Sequence, residues 1–219
     1  MANIVIFGTG DIARLAHFYF STDSDHTVIA FTVDAAYLGG NTFLDLPVVA
    51  FDQVRSRYPP SDHKMFVAMS YAKMNQVRAS KYAEAKALGY ELVSYVSSRC
   101  SFLSQYPHGD NCFILEDNTV QPFVRIGSDV TLWSGNHIGH DSSIGDHCFI
   151  SSHVVVSGHV DIGSHCFVGV NATVRNDIRI AEFTLVGAGA IIMKDTTPRS
   201  VFVAARTAPF SKTSDLVDF

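Results

Sequence analysis

An aliphatic residue recurs at every sixth position through the second half of the chain. The series covers fourteen positions without a gap: Ile114, Val120, Ile126, Leu132, Ile138, Ile144, Ile150, Val156, Ile162, Val168, Val174, Ile180, Val186 and Ile192. An amphipathic helix repeats every 3.6 residues and a flat strand every two, so neither element produces a period of six. A sixfold repeat is typical of a β-helix in which each hexapeptide supplies one short strand and one corner.

Two further positions of the hexapeptide support this interpretation. The residue four places after each aliphatic residue is small or β-branched in every repeat. Glycine directly follows the aliphatic residue six times, at Gly127, Gly139, Gly145, Gly163, Gly169 and Gly187. We expect these glycines at tight corners, where a positive φ is tolerated. The register continues from 114 to 197, which predicts a β-helix along most of the second half.

The first half has a different organisation, in which short β-branched runs alternate with helical segments. Strands are predicted at 3–8, 26–34, 46–51, 64–70 and 91–96, and helices at 11–20 and 73–89. Alternation of this kind predicts a parallel sheet covered by helices. The fold class is therefore α/β plus all-β. The domains expected are 1–98, Rossmann-like, and 99–219, β-helix with a C-terminal tail.

The turn after the first strand has the pattern G-x-G-x-x-A, formed by Gly8, Gly10 and Ala13. Asp34 ends the next strand, 24 residues after Gly10. This arrangement is that of a dinucleotide-binding fingerprint, so a nicotinamide enzyme is one interpretation. A domain of about 98 residues is short for such an enzyme, and the β-helix does not supply its catalytic domain. A plain tight turn is the simpler alternative.

Composition limits the classes of partner. The net charge is −5 and no basic run occurs, so neither nucleic acid nor a membrane is expected as a partner. No signal peptide and no apolar stretch of membrane-spanning length is recognised. The four cysteines form no C-x-x-C pair. A reducing, cytoplasmic location is expected.

Six of the ten histidines fall within 134–169. Four of them occupy the third place after an aliphatic residue, at His147, His153, His159 and His165, which predicts polar corner residues. Zinc needs three or four converging ligands. Gaps of three, seven, six, six and six residues between successive histidines do not suggest such a cluster, and no metal is expected. Cys148 and Cys166, at inward small positions, are expected to serve in packing.

His140 differs from the ladder because Asp141 follows it directly. An imidazole is the side chain best suited to general base catalysis near neutral pH. A neighbouring carboxylate can fix its tautomer and raise its basicity. From spacing alone, however, a His-Asp pair is more often a surface pair than a catalytic one.

The two halves together resemble the PglD/NeuD-type sugar acyltransferases, hexapeptide-repeat enzymes with a left-handed β-helix, over nearly the whole chain. The segment "IGHDSSIGD" matches their catalytic hexapeptide, aliphatic-x-His-acid-small-x followed by aliphatic-Gly. The resemblance implies that His140 is the base and Asp141 its supporting acid. Relatives of the PglD kind have a second histidine nine residues after the base, near acyl-CoA, and Phe149 stands there in this chain.

The resemblance also implies two binding regions. A nucleotide-sugar would contact the first domain at Thr9, Gly10, Asp11, Asp34 and Ser70. Ser70 stands where the family usually has Gly. Acetyl-CoA, as co-substrate, would lie along late coils and the tail, with cofactor contacts at Phe149, Val170, Gly187, Ala188 and Arg206. A solvated tail residue is the alternative for Arg206.

The function implied is acetyl-CoA-dependent N-acetylation of a nucleotide-linked amino sugar for bacterial surface glycan synthesis, in a homotrimer. O-acetylation of a sugar hydroxyl, as in NeuD-like relatives, is the nearest alternative. A non-catalytic β-helix scaffold and a metal-dependent enzyme like the γ-class carbonic anhydrases are more remote. In the latter class two histidines are five residues apart, a spacing not found within 134–169.

Overall fold

The computed structural model describes residues 1–216. Its first part is a five-stranded sheet in the order β3-β4-β2-β1-β5. The strands are β1 Asn3–Phe7, β2 Thr27–Val33, β3 Thr42–Phe43, β4 Leu46–Ala50 and β5 His63–Val67. All neighbours pair in parallel except β3, which pairs antiparallel with β4. The predicted parallel sheet is confirmed, with one short antiparallel strand added at its edge.

Three α-helices accompany this sheet, α1 Asp11–Thr22, α2 Val54–Arg57 and α3 Gln76–Ala87, and short 3₁₀ turns occur at Ala35–Tyr37, Phe51–Gln53 and Ser214–Leu216. The predicted stop of α3 is confirmed, because Gly89 has a φ of +94° just beyond it. The predicted start at residue 73 is wrong. Lys73, Met74 and Asn75 all have positive φ, and the buried Asn75 instead donates to the Cys166 carbonyl oxygen at 3.2 Å.

The second part is a prism of very short parallel strands stacked on three faces. The first face holds β6 Tyr95–Val96, β8 Phe113–Ile114, β11 Thr131–Leu132, β14 Phe149–Ile150, β17 Phe167–Val168, β20 Leu185–Val186 and β22 Val201–Phe202. The second holds β7 Ser101–Phe102, β9 Thr119–Val120, β12 His137–Ile138, β15 Val155–Val156, β18 Thr173–Val174 and β21 Ile191–Ile192. The third holds β10 Arg125–Ile126, β13 Ser143–Ile144, β16 Asp161–Ile162 and β19 Arg179–Ile180.

The sixfold aliphatic series forms the interior of this prism. Each of its fourteen members is the second residue of one strand from β8 to β21, and none is more than 5% exposed. Pairing joins residues 18 apart, as Phe149 with Phe167. The register ends after Ile192, since Phe202 pairs with Val186, only 16 residues before it.

The repeated glycines have a different role from the one predicted. None of the six has a positive φ. An added Cβ would instead collide with the next coil: at Gly139 it would lie 2.5 Å from the Ser157 carbonyl carbon, and at Gly169 2.5 Å from the Ala188 nitrogen. Close approach of stacked backbones is therefore the reason for glycine at these positions.

The positive φ falls two residues later, at the corner position that the histidine ladder occupies. His147, His153, His159 and His165 have φ values of 56° to 61°. Histidine, asparagine and aspartate adopt this left-handed conformation more readily than other non-glycine residues. The prediction of polar corner residues is confirmed. Cys148 and Cys166 are fully buried in the prism interior, as expected for packing residues.

The two parts are joined by a buried polar contact. Arg78 of α3 is 1% exposed. Its Nε donates to Asp129 Oδ2 at 3.0 Å, and its Nη2 donates to the Asp129 and Cys148 carbonyl oxygens. His147 Nδ1 lies 2.9 Å from the same carboxylate oxygen. A buried charge is destabilising without its partner, so α3 must keep the position that pairs Arg78 with Asp129.

The predicted strand 91–96 is divided between the two parts. Leu92 forms a bridge with Met65 of the first sheet, whereas Tyr95–Val96 pairs with Phe113–Ile114 of the prism. The prism thus begins before residue 98, the end predicted for the first domain. That boundary stays a prediction.

Candidate active site

His140 and Asp141 lie at the corner between the second and third faces. Asp141 has a φ of 57°, and this corner conformation brings its Oδ2 to 2.8 Å from His140 Nδ1. An ionised carboxylate only accepts hydrogen bonds, so Nδ1 is the donor and Nε2 of the neutral ring keeps its lone pair. The geometry is therefore that of an oriented base.

The corner leaves this base accessible. The side chains of His140 and Asp141 are 53% and 42% exposed. The backbone N–H of His140 donates to Gln121 Oε1 at 2.9 Å. An added Cβ on Gly158, one coil further on, would lie 2.8 Å from His140 Nε2, so glycine there makes room for the ring.

His159 belongs to this corner, although the sequence grouped it with the ladder. Its Nε2 is 4.0 Å from Asp141 Oδ2, and its ring centroid is 5.1 Å from that of His140 with the planes at 89°. One donor atom from each of the three residues lies within 4.8 Å of the others. His140 and His159 are 19 residues apart, which is one coil plus one residue. This spacing could have indicated the contact, but the gaps between successive histidines do not show it.

A groove of about 460 Å³ separates the first domain from the prism. Three predicted cofactor residues line it: Phe149, Val170 and Ala188. The other lining residues are mostly apolar: Ile12, Tyr71, Trp133, Ser151, Ser152, Phe167 and Gly169. Phe149 stacks on Phe167 with centroids 5.8 Å apart and is 2% exposed. Its position gives the groove an aromatic floor.

Gly187 and Arg206 are not part of this lining. Gly187 lies in the last coil, where its N–H donates to the Phe202 carbonyl oxygen at 2.7 Å. Arg206 is exposed in the tail after β22. His140 is also outside the groove, because it occupies a different corner of the prism. A single chain thus does not bring the base and the groove together.

The turn after β1 has the tight geometry of its motif. Gly8 has a φ of +117°, and an added Cβ would lie 2.8 Å from the Ala68 carbonyl oxygen. Ala13 is fully buried beside it, which permits close packing of α1 on the sheet. Gly10 precedes α1, and the exposed Asp11 pairs with Arg14 at 3.1 Å.

Thr9 and Asp34 face different cavities. Thr9 lines one of about 220 Å³ with Tyr37, Gly39, Gly40, Thr42, Phe43 and Val48. Asp34 lines another of about 400 Å³ near α3, and its Oδ1 accepts from Lys81 Nζ at 2.7 Å. Ser70 is exposed just after β5. The structure therefore does not gather the five predicted substrate residues around one cavity.

Lys81 is a second residue that sequence reasoning missed. Burial works against its charged form, but the bonds to Asp34 and Glu84 outweigh this and raise its pKa. Its Nζ also lies 5.5 Å and 5.3 Å from the ring centroids of Phe7 and Phe51. Lys81 thus pairs with one oxygen of the carboxylate that a ribose hydroxyl would contact, and Asp34 Oδ2 keeps its capacity to accept a hydrogen bond.

Comparison with known proteins agrees with this description. Residues 124–158 and 141–176 match the family model described as bacterial transferase hexapeptide (six repeats). No curated protein matches the chain significantly. Within the described residues, no helix is long and apolar enough to cross a membrane.

Three solved structures share the fold along nearly the whole chain. The acetyltransferase domain of PglB from Neisseria gonorrhoeae is 19% identical, with a TM-score of 0.81, covering 92% of this chain and 96% of that one. PerB from Caulobacter crescentus, in complex with CoA and GDP-perosamine, is 22% identical, with a TM-score of 0.78 and coverage of 93% and 92%. WeeI from Acinetobacter baumannii is 18% identical, with a TM-score of 0.77 and coverage of 92% and 96%.

These comparisons define the class of fold. The predicted fold class, a small Rossmann-like domain followed by a left-handed parallel β-helix, is confirmed. The prism carries the hexapeptide repeat of the bacterial transferases over residues 124–176.

Proposed function

We propose that the protein is an acetyl-CoA-dependent N-acetyltransferase that acts on a nucleotide-linked amino sugar. The observation that carries the proposal is the contact of 2.8 Å between His140 Nδ1 and Asp141 Oδ2 at an exposed corner of the β-helix. The PerB and PglB structures, which share the fold, are of proteins crystallised with CoA and GDP-perosamine and with acetyl coenzyme A, respectively. The resemblance to the PglD/NeuD-type enzymes adds the proposal that the product enters bacterial surface glycan synthesis.

The chemistry requires one base and no covalent intermediate. His140 Nε2 takes a proton from the sugar amine as its nitrogen attacks the thioester carbonyl carbon. The tetrahedral oxyanion then collapses, and the CoA thiolate leaves with the proton from the imidazolium. A positioned base of this kind typically contributes about 10²–10⁴-fold to the rate. Asp141 holds the tautomer and stabilises the imidazolium.

The groove between the domain and the prism is the proposed site of the CoA arm. Its apolar lining at Phe149, Val170 and Ala188 suits the pantetheine chain, since apolar groups gain by leaving water. Gly187 would present backbone along the last coil, and Arg206 in the exposed tail would meet a CoA phosphate. Charge-assisted bonds between arginine and phosphate support that assignment.

The proposed nucleotide-sugar site is the turn of the first domain, at residues 1–98. Gly8 and Gly10 permit close approach at the start of α1, where backbone N–H groups favour phosphate. Thr9, Asp11 and Ser70 lie at the carboxyl edge of the sheet, where ligands of such folds bind. Asp34 would join them through Oδ2, while its Oδ1 stays paired with Lys81. The β-helix domain, 99–219, would supply the base.

We propose a homotrimer. His140 and the groove occupy different corners of one prism, and no residue lines both. A cyclic arrangement of three prisms would set the corner of one chain against the groove of the next. Such an assembly would complete the site without moving either feature within the chain.

The test is release of CoA thiol from acetyl-CoA over a panel of UDP-, dTDP- and GDP-linked amino sugars. Rapid release with one amino sugar, lost on His140→Ala, supports the proposal. Arg55→Ala, on the exposed side of α2 and outside both the groove and the corner of the base, is the control variant. No release with any amino sugar would overturn N-acetylation, and sugar hydroxyl acceptors would be assayed next.

A further inference from the structure

We propose that His140, Asp141 and His159 bind one transition-metal dication of the Zn²⁺ kind, and that the bound ion inactivates His140 as a base. The binding part of this inference stands without the proposed function. The inhibitory part rests on it, because it requires His140 to be the general base.

The donor atoms have the chemistry that such an ion prefers. Two imidazoles and one carboxylate are common zinc ligands, with metal–ligand distances of about 2.0–2.2 Å. Tetrahedral ligands at that distance are about 3.3 Å apart. Asp141 Oδ2 lies 2.8 Å from His140 Nδ1 and 4.0 Å from His159 Nε2. Movements of under about 1 Å in exposed side chains would bring all three into coordination.

The backbone holds the three residues in place before a metal arrives. Asp141 and His159 occupy the same corner of successive coils, with φ values of 57° and 56°. The N–H of His159 donates to the His140 carbonyl oxygen at 2.9 Å. Because both residues are fixed by the coil, only side-chain rotation has to be restricted on binding.

The charge at this corner also favours a cation. Asp177 occupies the same corner one coil further on, with a φ of 57°. His159 therefore lies between two aspartates along the stack, at a spacing of about 4.8 Å per coil. The exposed fractions of 42% to 56% for the three ligands leave room for water as a fourth ligand.

Binding has a defined consequence for the base. The metal takes the Nδ1 lone pair of His140, so the proton that Nδ1 shared with Asp141 is displaced. That proton returns to the ring at Nε2 by exchange with water, so the ring has no lone pair there for the sugar amine. The ring stays neutral, so this change of tautomer releases no net proton.

Calorimetric titration of the full chain with ZnCl₂ tests the binding part. We expect one ion per chain and, at a pH where both histidines are neutral, no net proton release in buffers of different ionisation enthalpy. His159→Asn should weaken this binding at least about 10-fold, since one of three protein ligands is lost. Asparagine also tolerates the positive φ of the corner. His153→Asn, at an equivalent corner with no such neighbours, should bind as the unmodified chain does.

Each outcome decides the inference. Absence of a stoichiometric site in the unmodified chain, or equal affinity in His159→Asn, would overturn it. Loss of binding in His153→Asn would also do so, because the ions would then be held by exposed histidines in general. With an active amino sugar in hand, Zn²⁺ should inhibit CoA release, EDTA should restore it, and His159→Asn should resist inhibition. If no amino sugar is active, the proposed function fails while the calorimetry still decides the metal site.

Discussion

The prism and the first domain reach their structures by different routes. In the prism, each aliphatic residue of the series from Ile114 to Ile192 is buried beside the residue at the corresponding position of a neighbouring coil, 18 positions away along the chain. In the first domain, β1 pairs with β2 and also with β5, whose partner residues lie 60 positions away. A local repeat therefore specifies one part, and distant pairing specifies the other.

The contact between the prism and the first domain depends neither on the repeat nor on strand pairing. Arg78 on α3 reaches Asp129 in the prism, 51 residues later. Asn75 and Asn111 make similar reciprocal contacts, Asn75 with Cys166 and Asn111 with Val67. These polar side chains belong to no motif in the sequence, and they are buried because they lie where the first domain packs against the prism.

Replacement of Arg78 should have the largest effect. Arg78→Ala leaves the Asp129 carboxylate buried, with His147 and Asn111 as its remaining side-chain partners. Breaking such a pair costs about 3–5 kcal/mol. We expect a loss of this size in the free energy of unfolding, measured by urea denaturation. Arg14→Ala, which removes an exposed pair with Asp11, should change it by no more than about 0.5 kcal/mol. Equal losses would show that the two parts do not depend on the buried pair.

Replacement of His140 should affect activity at a similar scale without affecting stability. His140→Ala should lower kcat/KM for CoA release about 10²–10⁴-fold, equivalent to about 3–5 kcal/mol. Because the side chain is half exposed, the unfolding midpoint should be nearly unchanged. A loss of unfolding free energy of about 3–5 kcal/mol in His140→Ala would instead mean that His140 stabilises the corner of the β-helix, as the other residues of the repeat do.

A methyl group between coils should have an intermediate effect. Gly169→Ala puts a Cβ 2.5 Å from the Ala188 nitrogen, and overpacking of this kind costs about 1–3 kcal/mol. Gly40→Ala, in the first domain, meets nothing within 4 Å and should be close to neutral. The midpoints of thermal unfolding of the two variants show the effect of a methyl group between stacked coils and in an open loop. Similar midpoints would contradict close approach as the reason for the repeated glycines.

A pH effect should be the smallest. Burial, followed by the charge of His147, lowers the pKa of His165. The unfolded chain then binds more protons than the folded chain below about pH 6.5, so this contribution is complete above that pH and is lost as pH falls from there through the lower pKa of the folded chain. His165→Asn should flatten the acid-side slope of unfolding free energy by at most about 1.4 kcal/mol per pH unit. An unchanged slope in His165→Asn would contradict this prediction.

The amino-acid sequence was sufficient to predict the β-helix and its interior, because a period of six is typical of this fold and each coil repeats the contacts of the coil before it. It also determined the turn at Gly8 and the adjacent pair His140-Asp141. These features depend on residues that are close in sequence or regular in spacing.

The remaining contacts depend on how distant parts of the chain pack together in the folded protein. The glycines follow the aliphatic residues because coils stack closely, which a hexapeptide alone does not show. Lys81 pairs with Asp34, and His159 lies beside His140, because the fold brings these side chains together. The first two residues are 47 positions apart, and the second two are 19 apart, which is one coil plus one residue. Such contacts cannot be predicted from sequence spacing alone, because they depend on the positions of the backbone segments in the folded chain.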